Sequence, residues 1–110
     1  MGYKIKTYET STGKRPFDKW FNDLDDKKAQ AVIDLRLERV KMGNLGHCDP
    51  VGNMVFELKF DIGPGYRVYF GKIGTNIILL LCAGSKKAQQ RDIEKAKKYF
   101  QEFKNSGARL

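Results

Sequence analysis

Residues that build metal sites and nucleophilic active sites are scarce in this chain of 110 residues. It has two cysteines, Cys48 and Cys82, and one histidine, His47. Two cysteines that are 34 residues apart make no disulfide framework, and without a second histidine they give a zinc site little support. The sequence also has no Gly-rich phosphate loop, no nucleophile elbow and no carboxylates paired on one face. We therefore expect neither a metal nor a cofactor.

Long hydrophobic runs are also missing. The longest, residues 77–83, is far too short to cross a bilayer. Residues 1–6 are short and basic, unlike a signal peptide. Cys82 lies inside the apolar run and is expected to be a small buried hydrophobe. We expect a cytoplasmic protein without a membrane partner, folded as one domain over residues 1–110.

Acidic residues are too few to balance the basic ones. The chain has 21 Lys and Arg against 13 Asp and Glu, a net charge of +8 and a pI near 9.6. Such a surplus favours a polyanionic partner, namely nucleic acid, a ribosome, an acidic protein or a membrane surface. A basic protein with no anionic partner is the alternative. Residues 86–110 hold eight Lys and Arg against three acids, so +5 of the total lies there.

The hydrophobic period changes several times along the chain and predicts an α+β fold. Residues 3–10 alternate as a strand. A helix that begins at Pro16 and a second helix over residues 26–42 should form an antiparallel hairpin. After a loop over residues 43–53 come a three-stranded antiparallel meander and a final helix with Ser85 as its N-cap. The meander strands are expected over residues 54–61, 66–73 and 76–83, the last covered on both faces. The expected core residues are Ala29, Val32, Ile33, Leu37 and Val40 of the second helix, Met54, Phe56, Leu58 and Phe60 of the first meander strand, and Ile93, Ala96, Phe100 and Phe103 of the last helix.

The stretch "GPGYRVYF" places an arginine between two tyrosines. With a three-residue loop over residues 63–65, Lys59 should lie opposite Tyr69, and Asp61 opposite Arg67. Lys59, Arg67 and Tyr69 then share a sheet face that two helices, packed on the other side, leave open. Such a face would form the floor of a phosphate-binding groove. The alternative is an ordinary solvated salt bridge between Asp61 and Arg67.

A second basic cluster opens the last helix. Lys86 and Lys87 are expected at its N-terminus, where the helix dipole disfavours cations but free N–H groups bind phosphate. The helix then presents one basic face, which is either an RNA-binding surface or a solvated stripe. The residues of this face are Lys87, Arg91, Lys95 and Lys98.

Cleavage of RNA needs no metal in principle. The ribose 2′-OH attacks its own phosphate, so a protein has only to accept a proton, stabilise the phosphorane and assist the leaving oxygen. Lysine, arginine and tyrosine side chains can do this without histidine.

The segments "FELKFDIGPGYRVYF" and "IILLLCAGSKKAQQRDIEKAKKYF" resemble the RelE/ParE superfamily of toxins from type II toxin–antitoxin systems. They are most similar to its HigB-like branch of addiction module killer proteins, over roughly residues 3–100. The resemblance implies one small mixed sheet with helices packed on one face. It also implies an mRNA interferase, a metal-independent endoribonuclease that cleaves translated mRNA on the ribosome. A small antitoxin, expected to be a helix-turn-helix protein, would neutralise it.

Position by position, the resemblance assigns Lys59, Arg67 and Lys86 to the family's basic catalytic positions. "AGSK" stands where related sequences often have Gly-Gly-Asp-Lys, so the proton acceptor is unassigned, and Tyr69 or Lys59 would have to serve. Two alternatives stay open. The superfamily includes ParE-like gyrase inhibitors with no nuclease activity, and a last helix that opens with lysines is also typical of double-stranded RNA-binding domains.

Overall fold

Five strands and three helices make up the computed structural model, which describes residues 2–108. The α+β fold and its mixed sheet are as expected. No helix in this part of the chain has the length and apolarity needed to cross a membrane. In chain order the elements are β1 (Lys4–Thr7), α1 (Pro16–Asn22), α2 (Lys27–Lys41), β2 (Cys48–Gly52), β3 (Val55–Phe60), β4 (Tyr66–Ile73), β5 (Ile77–Ser85) and α3 (Gln89–Asn105), with a 3₁₀ turn over Lys86–Ala88.

The sheet has the order β1-β5-β4-β3-β2, in which only β1 and β5 run parallel. The prediction that β5 is an inner strand covered on both faces is confirmed. The prediction of a loop over residues 43–53 is wrong in part, because β2 pairs with β3. The segment "CDPVG" has no apolar alternation, and Pro50 is tolerated in it because β2 is an edge strand.

Helices α1 and α2 cover one face of the sheet with apolar side chains. Asp26 caps α2 by accepting a hydrogen bond from the Ala29 N–H at 3.0 Å. The expected core positions of α2 are buried except Val32, which is 38% exposed and was wrongly placed. The core on this face joins Phe17 of α1 and Ala29, Ile33, Leu37 and Val40 of α2 to Leu58, Phe60, Val68, Phe70, Ile78 and Leu80 of the sheet.

Helix α3 covers the opposite face, so the prediction of helices on one face only is wrong. Side chains along β5 alternate between the two sides: Leu80 packs towards α1 and α2, while Leu79 and Leu81 pack with Ala96 and Phe100 of α3. An apolar strand such as β5 exposes too much hydrophobic surface unless both of its faces are covered. Helix α3 supplies that second cover.

The β3–β4 hairpin is paired two residues away from the predicted register. Lys59 lies opposite Arg67 instead of Tyr69, and Asp61 is outside the strands. The connection spans the five residues 61–65, and the Gly65 N–H donates to the Ile62 carbonyl at 2.9 Å. A shift of two residues keeps every side chain on its own face, so alternation could not separate the two registers.

Met54, expected in the core, is 64% exposed. It lies with Asn53 in the tight turn between β2 and β3, and both residues have positive φ, 67° and 56° respectively. Strand β3 therefore begins one residue later, at Val55, whose side chain is fully buried on the α3 side.

Candidate nucleic-acid interface

The β3–β4 turn brings three of the predicted site residues close together. Lys59 and Arg67 are cross-strand partners on β3 and β4, and the Lys86 N–H donates to the Gly65 carbonyl at 2.7 Å. Gly65 has a φ of +80°, and a Cβ there would lie 3.3 Å from the Lys86 Cβ and 3.7 Å from the Arg67 Nη1. Glycine at this turn therefore allows the two basic residues to approach each other.

Arg67 is only 5% exposed, so its predicted place on an open sheet face is wrong. Its Nε lies 4.0 Å from the Glu57 carboxylate without forming a hydrogen bond, and its Nη1 donates to the Tyr66 carbonyl at 3.1 Å. Gln89, in the first turn of α3, donates to Glu57 at 2.8 Å and helps to cover the pair on the α3 side. Truncating Arg67 would thus remove buried contacts and cost stability.

Tyr69 is fully buried beneath α3 and does not line an open groove. Its hydroxyl forms no hydrogen bond with any described residue. Burial, and secondarily the nearby Glu57 charge, raises the pKa of this phenol above its ordinary value. A buried tyrosine that is harder to ionise is a poor proton acceptor, so this environment argues against the base role given to Tyr69.

Lys59 lies at the border of the buried region, with its side chain 35% exposed. Its ammonium is 3.0 Å from the carboxylate of Asp49 on β2. That hydrogen bond lowers the pKa of Asp49. His47 is 3.5 Å from the same carboxylate. The ion pair positions Lys59 as a cation, which suits the stabilisation of a phosphate better than the abstraction of a proton.

Lys86 and Lys87 do not open the last helix as predicted. They lie in the 3₁₀ turn, Ser85 makes no side-chain cap, and α3 begins at Gln89. Strand β5 extends to Ser85, and its end ties Lys86 to the β3–β4 turn before the helix can start. Both lysines are nonetheless exposed.

The outer side of α3 continues this exposed charge. None of the four side chains on the predicted basic face forms an ion pair with the described residues. We call the exposed cations of this region the α3 basic row; its members are Lys86, Lys87, Arg91, Lys95 and Lys98.

Glu57, Gln89 and Asp92 were missed by the sequence reasoning. All three lie between α3 and the sheet, where Glu57 is 2% and Asp92 6% exposed. A signal was present, because Gln89, Asp92 and Ala96 follow the helical spacing of the buried stripe. No group of three or more His, Cys, Asp or Glu residues in residues 2–108 is placed to hold a metal ion.

These features define a small α+β protein whose basic row borders a buried polar cluster. A comparison with known proteins finds an uncharacterized protein of Haemophilus influenzae that is 41% identical over 103 residues, which cover 94% of this chain and 98% of the relative. The chain belongs to the same family as this Haemophilus protein. No family model matches the chain.

Proposed function

We propose that the protein is the toxin of a type II toxin–antitoxin pair, and that it is a metal-independent endoribonuclease acting on translated mRNA. The α3 basic row is the observation that carries the proposal. Its five cations are exposed and have no ion-pair partner in residues 2–108, whereas Lys59 and Lys19 are neutralised by neighbouring carboxylates. Exposed, unneutralised cations in a row are what a phosphate backbone requires.

The geometry supports a division of roles among the candidate residues. The α3 basic row would hold the RNA backbone. Lys86 and Lys59, which flank Arg67, would stabilise the charge on the phosphorane. Solvent water would take the proton of the attacking 2′-OH and return one to the 5′ oxygen as it leaves. Arg67 is too buried to contact a phosphate in this conformation, so its role is to position Lys59 on β3 and Lys86 in the 3₁₀ turn after β5.

The resemblance to HigB-like toxins also supports the proposal, and its residues lie on consecutive elements: Tyr66 and Arg67 on β4, and Lys86 and Lys87 directly after β5. A cytoplasmic antitoxin of the helix-turn-helix class is proposed on the same basis. Its binding would have to cover the α3 basic row or the edge of the sheet beside it.

Induced expression in bacteria, followed by mapping of mRNA ends, tests the proposal. We expect growth arrest and cuts within translated reading frames that leave a cyclic phosphate or 3′-phosphate. With purified ribosomes, EDTA should not change the cleavage. Lys86→Gln should weaken cleavage without unfolding the protein. The control Lys28→Gln, an exposed change on α2, should leave cleavage unchanged.

Two other results would each contradict the proposal. Inhibition of DNA gyrase with intact mRNA would place the protein with the ParE-like toxins. Tight binding of bare duplex RNA with neither cleavage nor growth arrest would instead indicate a non-enzymatic RNA-binding module.

A further inference from the structure

A cleft of about 630 Å³ opens between α1 and α3 at the edge of β5. Strand β1 pairs only with residues 77–80 of β5, and the last hydrogen bond runs from the Tyr8 N–H to the Leu80 carbonyl at 2.8 Å. Beyond this point β5 has no strand neighbour on that side within residues 2–108. The gap left by the short β1 is the cleft, and Cys82 and Ala83 form part of its wall.

The cleft is acidic although the protein is strongly basic. Four aspartates and two lysines line it, and one lysine, Lys19, is already paired with Asp23 at 2.8 Å. A phosphate would be repelled here, whereas a cation would be attracted. The charged residues lining the cleft are Asp23, Asp25, Asp26, Asp92, Lys19 and Lys95.

Asp92 and Asp25 are the carboxylates in this cleft without a partner among residues 2–108, and of the two Asp92 is buried whereas Asp25 is exposed. Asp92 is 6% exposed, and its side chain forms no hydrogen bond or ion pair with the described residues. The carboxylate rests against Gly84, where any Cβ would collide with it. Asp26 differs, because its two oxygens accept hydrogen bonds from the Ala29 N–H and the Tyr66 hydroxyl. A buried, unpaired carboxylate costs stability, which a bound cation would restore.

Aromatic rings line the same cleft. Trp20 and Tyr66 meet edge to face with centroids 5.8 Å apart, and Tyr99 lies on the α3 side. Aromatic faces attract cations, and a planar guanidinium can stack on a ring while it forms two hydrogen bonds to one carboxylate. A lysine ammonium cannot form that forked pair.

We infer that this cleft binds the arginine side chain of an extended segment from a protein partner, with the guanidinium on Asp92 and the aromatic rings beside it. The open edge of β5 favours a peptide over a free amine, because the peptide main chain can pair with the strand. The inference goes beyond the toxin proposal. If both hold, the partner is the antitoxin, and it lies next to Lys95 of the α3 basic row.

Trp20 is the only tryptophan of the chain and lies in the cleft, so its fluorescence reports binding directly. The probes are acetyl-arginine amide, the uncharged analogue acetyl-citrulline amide, and the acetylated peptide amide Thr-Val-Arg-Val-Thr. We expect arginine amide to bind with a Kd on the order of 1 mM and the peptide about tenfold more tightly. Asp92→Asn should weaken arginine binding by about tenfold or more. The matched exposed change on α2, Asp34→Asn, should not affect it.

Three results would overturn the inference. The first is an equal response to the citrulline and arginine probes. The second is arginine binding that survives Asp92→Asn in a folded protein. The third is saturable binding of a nucleoside monophosphate that displaces arginine, which would make the cleft a site for an RNA base. This assay involves neither ribosomes nor RNA cleavage. The toxin proposal can therefore be wrong while the arginine site is correct, and the arginine site can be wrong while the toxin proposal is correct.

Discussion

The two faces of the sheet are built from different chemistry. The face under α1 and α2 buries a nearly continuous apolar core, at whose border the Tyr66 hydroxyl donates to Asp26 at 3.2 Å. The face under α3 is apolar around Ala96 and Phe100. Near the β3–β4 turn, however, it holds Glu57 and Arg67.

All three charged residues buried in residues 2–108 lie on the α3 side: Glu57, Arg67 and Asp92. Burying a charged or polar group costs free energy unless it is well paired, and within residues 2–108 neither Arg67 Nε nor the Tyr69 hydroxyl has a hydrogen-bond partner. A fold that retains such groups on one face alone sacrifices stability there. Both proposed surfaces, the α3 basic row and the arginine cleft, border this face.

Arg67→Ala should have the largest effect on stability. It leaves the Glu57 carboxylate buried without its cation, so we expect a loss of about 3–5 kcal/mol in the free energy of unfolding. Urea denaturation measures it. The double change Glu57→Gln with Arg67→Met should recover much of the loss, because neither charge then remains. A loss below about 1 kcal/mol for Arg67→Ala would mean that the pair is hydrated in solution.

Asp92→Asn should stabilise the protein by on the order of 1 kcal/mol near neutral pH. Burial raises the pKa of Asp92, and the charges of Lys95 and Arg91 offset this only in part. Because the pKa is higher in the folded state, proton binding by Asp92 stabilises the fold at low pH. This stabilisation is complete below the pKa of an unfolded aspartate, near 3.9, and is lost as the pH rises through the pKa of the folded state. The difference in the free energy of unfolding between the variant and the wild type should therefore widen as the pH rises from about 4 to 7. A difference that narrows over this range would contradict the burial of Asp92.

Tyr69→Phe should have the smallest effect. It removes a buried hydroxyl that has no hydrogen-bond partner in the described part of the chain, so the free energy of unfolding should change by less than about 1 kcal/mol. Cleavage of mRNA should continue, because the hydroxyl does not reach a bound RNA. A fall in cleavage of a hundredfold or more, with stability unchanged, would return Tyr69 to the catalytic residues.

The same contrast decides how much of the fold could be predicted from sequence. On the α1 and α2 side, the apolar periods of α2 and β5 were sufficient to identify the core, apart from Val32 and Met54, which are exposed. On the α3 side, the pattern of Glu57, Lys59, Arg67 and Tyr69 was typical of a solvated face. Alternation reports which residues share a face, but not whether a helix returns to cover polar groups that can pair with each other.

The candidate site was predictable in proportion to its exposure. Arg91, Lys95 and Lys98 lie on the surface as expected, because charged residues that alternate with the apolar positions of an amphipathic helix face solvent. The burial of Arg67 and of the Asp92 carboxylate depends on where α3 packs against the sheet. They also depend on Gly84, whose missing side chain makes room for the Asp92 carboxylate. No local spacing encodes that contact.

Charge reversal in the α3 basic row is the most direct test of the proposed toxin function. A control variant with the same change in net charge on another surface separates the effect of position from that of charge. One variant carries Lys87→Glu, Arg91→Glu and Lys95→Glu in the α3 basic row. Its control carries Lys27→Glu, Lys28→Glu and Arg39→Glu on α2, across the sheet, with the same change in net charge. All six positions are exposed, so both variants should fold, as circular dichroism can verify.

The deciding measurement is the affinity of each variant for translating ribosomes as a function of salt, together with growth on induction. We predict that the α3 variant binds weaker by orders of magnitude and permits growth. Its log–log salt slope should be shallower by roughly one unit for each phosphate that the variant no longer binds. The α2 control should bind and arrest growth like the wild type. If both variants bind equally weakly, or the α3 variant stays toxic, then the α3 basic row is only a solvated surface and the proposed function is wrong.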